Sequence, residues 1–236
     1  MSTSDRAAEV LAEFEAGVRA HLGPRVFDDI DGRVANRLRN QDKVIDALVE
    51  LVREGKSGTV DEVVERSGVA RRSVFRHFSD LGDLTLNVFH RVLADSMPEV
   101  VVRNIGQGTQ DERLHNYIDA RLRSVQLMKP FRAAARTRWA SSETLPVAFL
   151  VTIQLVRNQI TTQFAAELRD LSEPDVERFV DTLSVLTSPE SFELLTDQVG
   201  RTVEHIRTTW TNAVRMVLVA SGSENPQGAG NIGGAQ

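Results

Sequence analysis

Along most of the chain, apolar residues return every three or four positions, the spacing of one helix face against a core. The first stripe, Leu11, Phe14, Val18 and Leu22, predicts a helix over about residues 5–22 that stops at Gly23-Pro24. A second, Leu38, Ile45, Leu48 and Val52, predicts a helix over about 34–54 with Gly55 placed to terminate it. Three shorter elements follow. Thr59 with Glu62 three residues on is a capping-box pattern ahead of Val60, Val63 and Val64. Gly68 then permits a sharp turn, and residues 70–78 place Val74 and Phe78 on an inner face. Asp80 and Asp83 can cap a helix over about 81–102, striped by Leu84, Val88 and Val92 with Phe89 beside them. Beyond the glycine-rich break at 106–109, helices are expected over about 111–127, 129–142, 146–170, 174–198 and 202–219. Pro130, Pro146 and Pro174 fall near helix starts, where a missing N–H costs little, while Pro189 should kink or divide its segment. No alternating run calls for a sheet, and the glycine-rich tail from Ser221 reads as disordered. The expected fold class is all-α, with an extension over 1–32, a small three-helix domain over 33–80 and a larger helical domain over 81–220.

Composition sharpens this picture. The chain has 236 residues, 41% of them hydrophobic and 26% charged, enough apolar material for a core of ordinary size. Cysteine is absent, which excludes disulfides, thiolate metal sites and cysteine nucleophiles. The longest nearly apolar stretch, 145–153, falls far short of the ~20 residues that span a bilayer. The acidic N-terminus lacks the basic-then-apolar pattern of a signal peptide, so no membrane partner and a cytoplasmic location are expected.

A net charge of −5 argues against nucleic acid only on average. Residues 1–32 carry three arginines against seven acids, whereas residues 33–91 carry eleven lysines and arginines against nine acids. Local charge governs attraction to phosphate, and the positive balance sits in one small block. Within that block lies the most informative stretch, residues 59–78, TVDEVVERSGVARRSVFRHF. Two short helices around a glycine turn resemble a helix-turn-helix, whose second helix enters the DNA major groove. With Val74 and Phe78 inward, Arg71, Arg72, Ser73, Arg76 and His77 point outward, where arginine can grip guanine bidentately and all can reach phosphates. The plain alternative is a solvated charged face on a helical hairpin.

The surrounding residues resemble the TetR family of bacterial transcription regulators. The resemblance rests on Thr59, Val63, Gly68-Val69, Phe75, His77, Phe78, Asp80 and Leu84, and it is specific over about residues 36–91. It is weaker over 174–219, where Leu-Thr-Ser-Pro-Glu, Gly200 and a last helix with Trp210 are similar to the family's C-terminal helices. It implies phosphate contacts from Thr59 and His77, with Arg71, Arg72 and Ser73 facing base edges or nearby phosphates. Three positions depart from the pattern: Phe75 where tyrosine is frequent, Leu81-Gly82 where a lysine is frequent, and Ala70 in place of a hydroxyl cap. Arg76, Arg33, Arg37 and Arg39 are candidate substitutes for the lost backbone contacts.

The resemblance further implies a homodimer bound to a palindromic double-stranded operator and released by a small, largely apolar effector. Candidate pocket residues are Met97, Tyr117, Leu122, Trp139, Phe149 and Ile153, with Arg136, Gln154 and Asn158 as possible polar contacts. Candidate dimer-interface residues are Phe179, Leu183, Val203, Ile206, Trp210 and Val214, beside Leu186 and Val217. For any single one of these, ordinary core packing is the competing reading.

Enzyme-like patterns are few. Gly-Ala-Gly-Asn-Ile-Gly at 228–233 has no strand before it and no helix after it, and Gly55-Lys56-Ser57 lacks the rest of a phosphate loop. Glu112 and His115 have the spacing of a carboxylate-bridged metal bundle, but the second Glu-x-x-His such a site needs is missing. No catalytic constellation and no cofactor is expected. The alternatives kept open are a metal-dependent helical-bundle enzyme using Glu112 and His115, or a ligand-sensing module that does not bind DNA.

Overall fold

The computed structural model describes residues 32–142 and 144–223. The expected helix over 5–22, the rest of the extension up to residue 31, Gly-Ala-Gly-Asn-Ile-Gly and most of the glycine-rich tail lie outside them. Every regular element among the described residues is helical, so the chain is all-α there. No described helix is long and apolar enough to cross a membrane.

The described residues divide into two compact units, residues 32–99 with 127–152, and residues 100–126 with 153–223. The boundary expected at residue 80 therefore does not separate them. The first unit opens with α1 (Gly32–Arg53), whose buried stripe includes Val44, Ile45, Leu48 and Val52. Two short helices pack against it, α2 (Val60–Ser67) and α3 (Arg71–His77). The capping box is formed: Glu62 N–H donates to Thr59 Oγ1 at 3.3 Å and Thr59 N–H donates to Glu62 Oε2 at 2.7 Å. Gly68 closes α2 at φ +67°, a left-handed conformation that costs a residue with a Cβ about 1–2 kcal/mol. Asp80 caps α4 (Leu81–Val100) by accepting from Asp83 N–H at 2.8 Å. Val63, Val69, Val74, Phe78, Leu84, Val88 and Val92 join the α1 stripe in one core, with Phe131 from the returning segment.

Helix α5 (Gln110–Arg136) corrects an expectation, because Pro130 does not start a new helix but lies inside a continuous one. A proline removes the bond to the carbonyl four residues back, here Gln126, the last residue of that stretch assigned to the second unit. After a 3-10 turn at Trp139–Ser141 comes α6 (Thr144–Gln163), and the helix expected to reach 170 is broken at Phe164 before the one-turn α7 (Ala165–Leu168). Pro189 does divide its segment: α8 (Glu173–Leu186) stops, α9 (Pro189–Glu193) restarts under a Ser188 cap, and a π-helical turn covers Leu194–Gln198. The final helix α10 (Val203–Ser223) takes in Ser221 to Ser223, which were expected in the tail. The core of the second unit gathers Leu114, Tyr117, Ile118, Leu122, Phe164, Phe179, Leu183, Ile206, Trp210 and Val214.

Candidate nucleic-acid interface

The 59–78 segment folds as its chemistry dictates. Val74 and Phe78 are buried, which fixes the roll of α3 and turns Arg71, Arg72, Phe75 and Arg76 to solvent. Arg72 and Arg76 make no bond among the described residues. Arg71 donates Nη1 to Asp61 Oδ1 on α2 at 2.5 Å, and its guanidinium lies over the Phe75 ring at 5.7 Å. Phe75 is 46% exposed on this charged face.

Other expected contacts are less available. Thr59 Oγ1 is engaged in its own cap and also donates to Glu62 Oε2 at 2.9 Å. Ser73 is half-buried. His77 is half-buried with Nε2 inside and without a hydrogen-bond partner among the described residues. Burial first, and then the charges of Arg76 and Arg37, hold the His77 imidazole below its ordinary pKa. The ring is therefore neutral at pH 7 and leaves only Nδ1 for a phosphate. The same pair of charges marks a basic neighbourhood shared by α1 and α3. Arg33, Arg37 and Arg39 are all exposed on the first turns of α1.

Two features that stiffen this face were not identified from sequence. Arg66 on α2 bridges to Glu50 on α1 at 3.1 Å and to Glu54 just beyond its end at 2.8 Å, and Glu54 is lowered to about 2 by Arg66 and then Lys56. Arg138, from the returning segment of the same unit, is buried and donates Nη2 to Ser57 O at 2.5 Å and Gly58 O at 2.9 Å. Its Nη1 donates to Ala134 O at 2.8 Å. Burial lowers the Arg138 pKa. The guanidinium thus clamps the two carbonyls immediately before the Thr59 cap.

The expected effector-pocket residues are divided between the two units, Met97, Trp139 and Phe149 in the first and Tyr117, Leu122 and Ile153 in the second. Trp139 and Phe149 come together edge to face at 4.9 Å, with Phe89 on the same Phe149 ring and Arg132 stacked over it at 5.0 Å. Met97 belongs to this first unit and is partly exposed. Tyr117 and Leu122 are sealed in the core of the second unit, where Tyr117 Oη shares a 2.8 Å hydrogen bond with Thr187 Oγ1. Ile153, also in the second unit, is exposed. Arg136 is exposed, and Gln154 donates to Asn158 at 3.0 Å on the surface. The second unit instead carries a shallow polar groove of about 460 Å³ along Asn104, Gln107, Gly108, Asp111, Glu112, His115 and Asn116.

The expected dimer-interface residues lie inside their own unit. Phe179, Leu183, Ile206, Trp210 and Val214 are buried and Val203 half-buried, all within their own unit's core. Helices α8 and α10 pack on each other and spend that stripe inside the protomer. The large apolar residues these helices leave exposed, among the described residues, are Val185, Met216 and Val219.

Glu112 and His115 are also committed locally. Glu112 Oε2 accepts from Thr109 N–H at 2.7 Å as a helix cap, and His115 Nδ1 lies 2.7 Å from Asp111 O. Among the described residues no group of three or more metal-ligating side chains converges. No known family model, curated protein or solved structure matches the chain.

Proposed function

We propose that the chain is a sequence-specific DNA-binding transcriptional regulator that works as a homodimer, with α2 and α3 as a helix-turn-helix and α3 as the reading helix. The observation that carries this reading is the exposed Arg71, Arg72, Arg76 face on a short helix whose roll is locked by Val74 and Phe78. The TetR-like pattern over residues 36–91 supports it from the sequence side. The exposed arginines on the first turns of α1 supply phosphate anchors where Phe75 and Leu81-Gly82 cannot.

Two reading helices on a two-fold dimer would enter successive major grooves one helical turn (~34 Å) apart. A second copy would meet the exposed Val185, Met216 and Val219 rather than the buried stripe. A small effector would act by favouring a spacing of the two reading helices that no longer fits the operator, which requires different affinity for the two arrangements. The control proposed is repression, with release on effector binding.

The test is the double variant Arg71→Ala, Arg72→Ala, measured by fluorescence anisotropy on a site enriched from random duplex DNA. Specific affinity should vanish while the helical content and melting temperature stay unchanged. Retention of specific affinity would remove α3 as the reader.

A further inference from the structure

We propose that Arg71 and Phe75 act as one composite reader of a guanine that stands next to a thymine in the major groove. The proposal rests on the DNA-binding reading above and names the bases recognised. The two residues are four apart on α3 and so share a face, and the guanidinium lies over the ring at 5.7 Å. Phe75 is 46% exposed and has no hydroxyl, so it offers nothing to a phosphate oxygen. The distinctive apolar feature on the floor of the major groove is the thymine C5-methyl, and it suits such a ring.

Asp61 settles which part of Arg71 is left to read with. It takes Nη1 at 2.5 Å, and Nε and Nη2 make no bond among the described residues. That free edge matches the paired acceptors O6 and N7 of guanine. With one edge held by Asp61 and one face covered by Phe75, the guanidinium is ordered before contact, so less freedom is lost on binding. The carboxylate also offsets the arginine's charge locally and weakens its pull on any phosphate. Departure from the usual tyrosine at position 75 thereby exchanges a backbone contact for a base contact.

The experiment uses the full-length protein and the site enriched from random duplex DNA, with single modified bases placed at each guanine and thymine. Replacing the critical thymine by deoxyuridine removes one methyl and should weaken binding about fourfold. Replacing the adjacent guanine by 7-deazaguanine removes the N7 acceptor and should weaken it about tenfold. The first effect should be absent in Phe75→Ala and the second in Arg71→Ala, while Asp61→Asn should raise affinity for unrelated DNA. An enriched site that binds normally with deoxyuridine at every thymine overturns the composite reader and leaves the regulator reading standing. Failure to enrich any site overturns both.

Discussion

Adding one methyl group at residue 58 tests how tightly the lead-in to α2 is held. Gly58 sits at φ +64°, and a Cβ there would lie 2.3 Å from Leu48 Cδ1 and 3.2 Å from Arg138 Nη2. Leu48 is 1% exposed in the α1 core and has nowhere to retreat without repacking its neighbours. Gly58→Ala therefore combines left-handed strain, about 1–2 kcal/mol, with overpacking, about 1–3 kcal/mol. The total is about 2–5 kcal/mol. Gly68→Ala is the control, because φ is +67° but no atom lies within 4 Å of the added carbon. It should cost only the strain, about 1–2 kcal/mol. Urea unfolding followed by circular dichroism measures both, the difference showing as a shift in midpoint at constant slope. Leu48→Val removes the clashing Cδ1, so Gly58→Ala introduced into that background should cost less than it does in the parent protein. Equal costs for Gly58→Ala and Gly68→Ala in the parent protein would refute the close approach of residue 58 to Leu48.

Arg138→Met keeps the aliphatic bulk but strips the donors from Ser57 O, Gly58 O and Ala134 O, and should cost about 2–4 kcal/mol by the same unfolding assay. Thr59→Ala removes the side-chain half of the α2 cap and should cost about 1 kcal/mol. His90 is pushed down to about 4 by burial, only partly countered by Asp83, so it stays neutral in the fold while the unfolded chain takes up a proton below its ordinary 6.5. Stability should consequently fall as pH drops from about 6.5 towards 4, by up to about 3 kcal/mol, and His90→Leu should flatten that part of the profile. Met216→Asp should leave secondary structure intact and shift sedimentation from dimer to monomer, whereas an unchanged dimer places the contact elsewhere.

The parts of the structure legible from sequence are those fixed by local chemistry. Thr59 with Glu62, Gly68, and Asp80 with Asp83 each specify a helix end within a few residues, and each forms as the pattern requires. Periodicity likewise gave the inner faces of α1, α2, α3 and α4. It could not say what covers a stripe. The resemblance assigns Leu183, Ile206, Trp210 and Val214 to an interface, but their own protomer buries them. Pro130 read as a start because proline favours first turns, and only the packed unit shows the helix carried through it. Arg138 was invisible for another reason: its carbonyl partners lie about eighty residues earlier, a contact that no motif encodes. Phe75 reads from the sequence as a lost phosphate donor, and only the folded chain shows it exposed beneath the Arg71 guanidinium.

The most direct test of the central claim is the ratio of dissociation constants for the enriched duplex and a scrambled duplex, measured at moderate and at high salt. A regulator of this kind should prefer its own site by about a thousandfold or more, with the preference surviving added salt. The enriched sequence should be a palindrome with half-sites one helical turn (~34 Å) apart. A ratio near one at both salts, with all binding fading as salt rises, would mean that the arginines of α3 are a solvated face and not a reading surface.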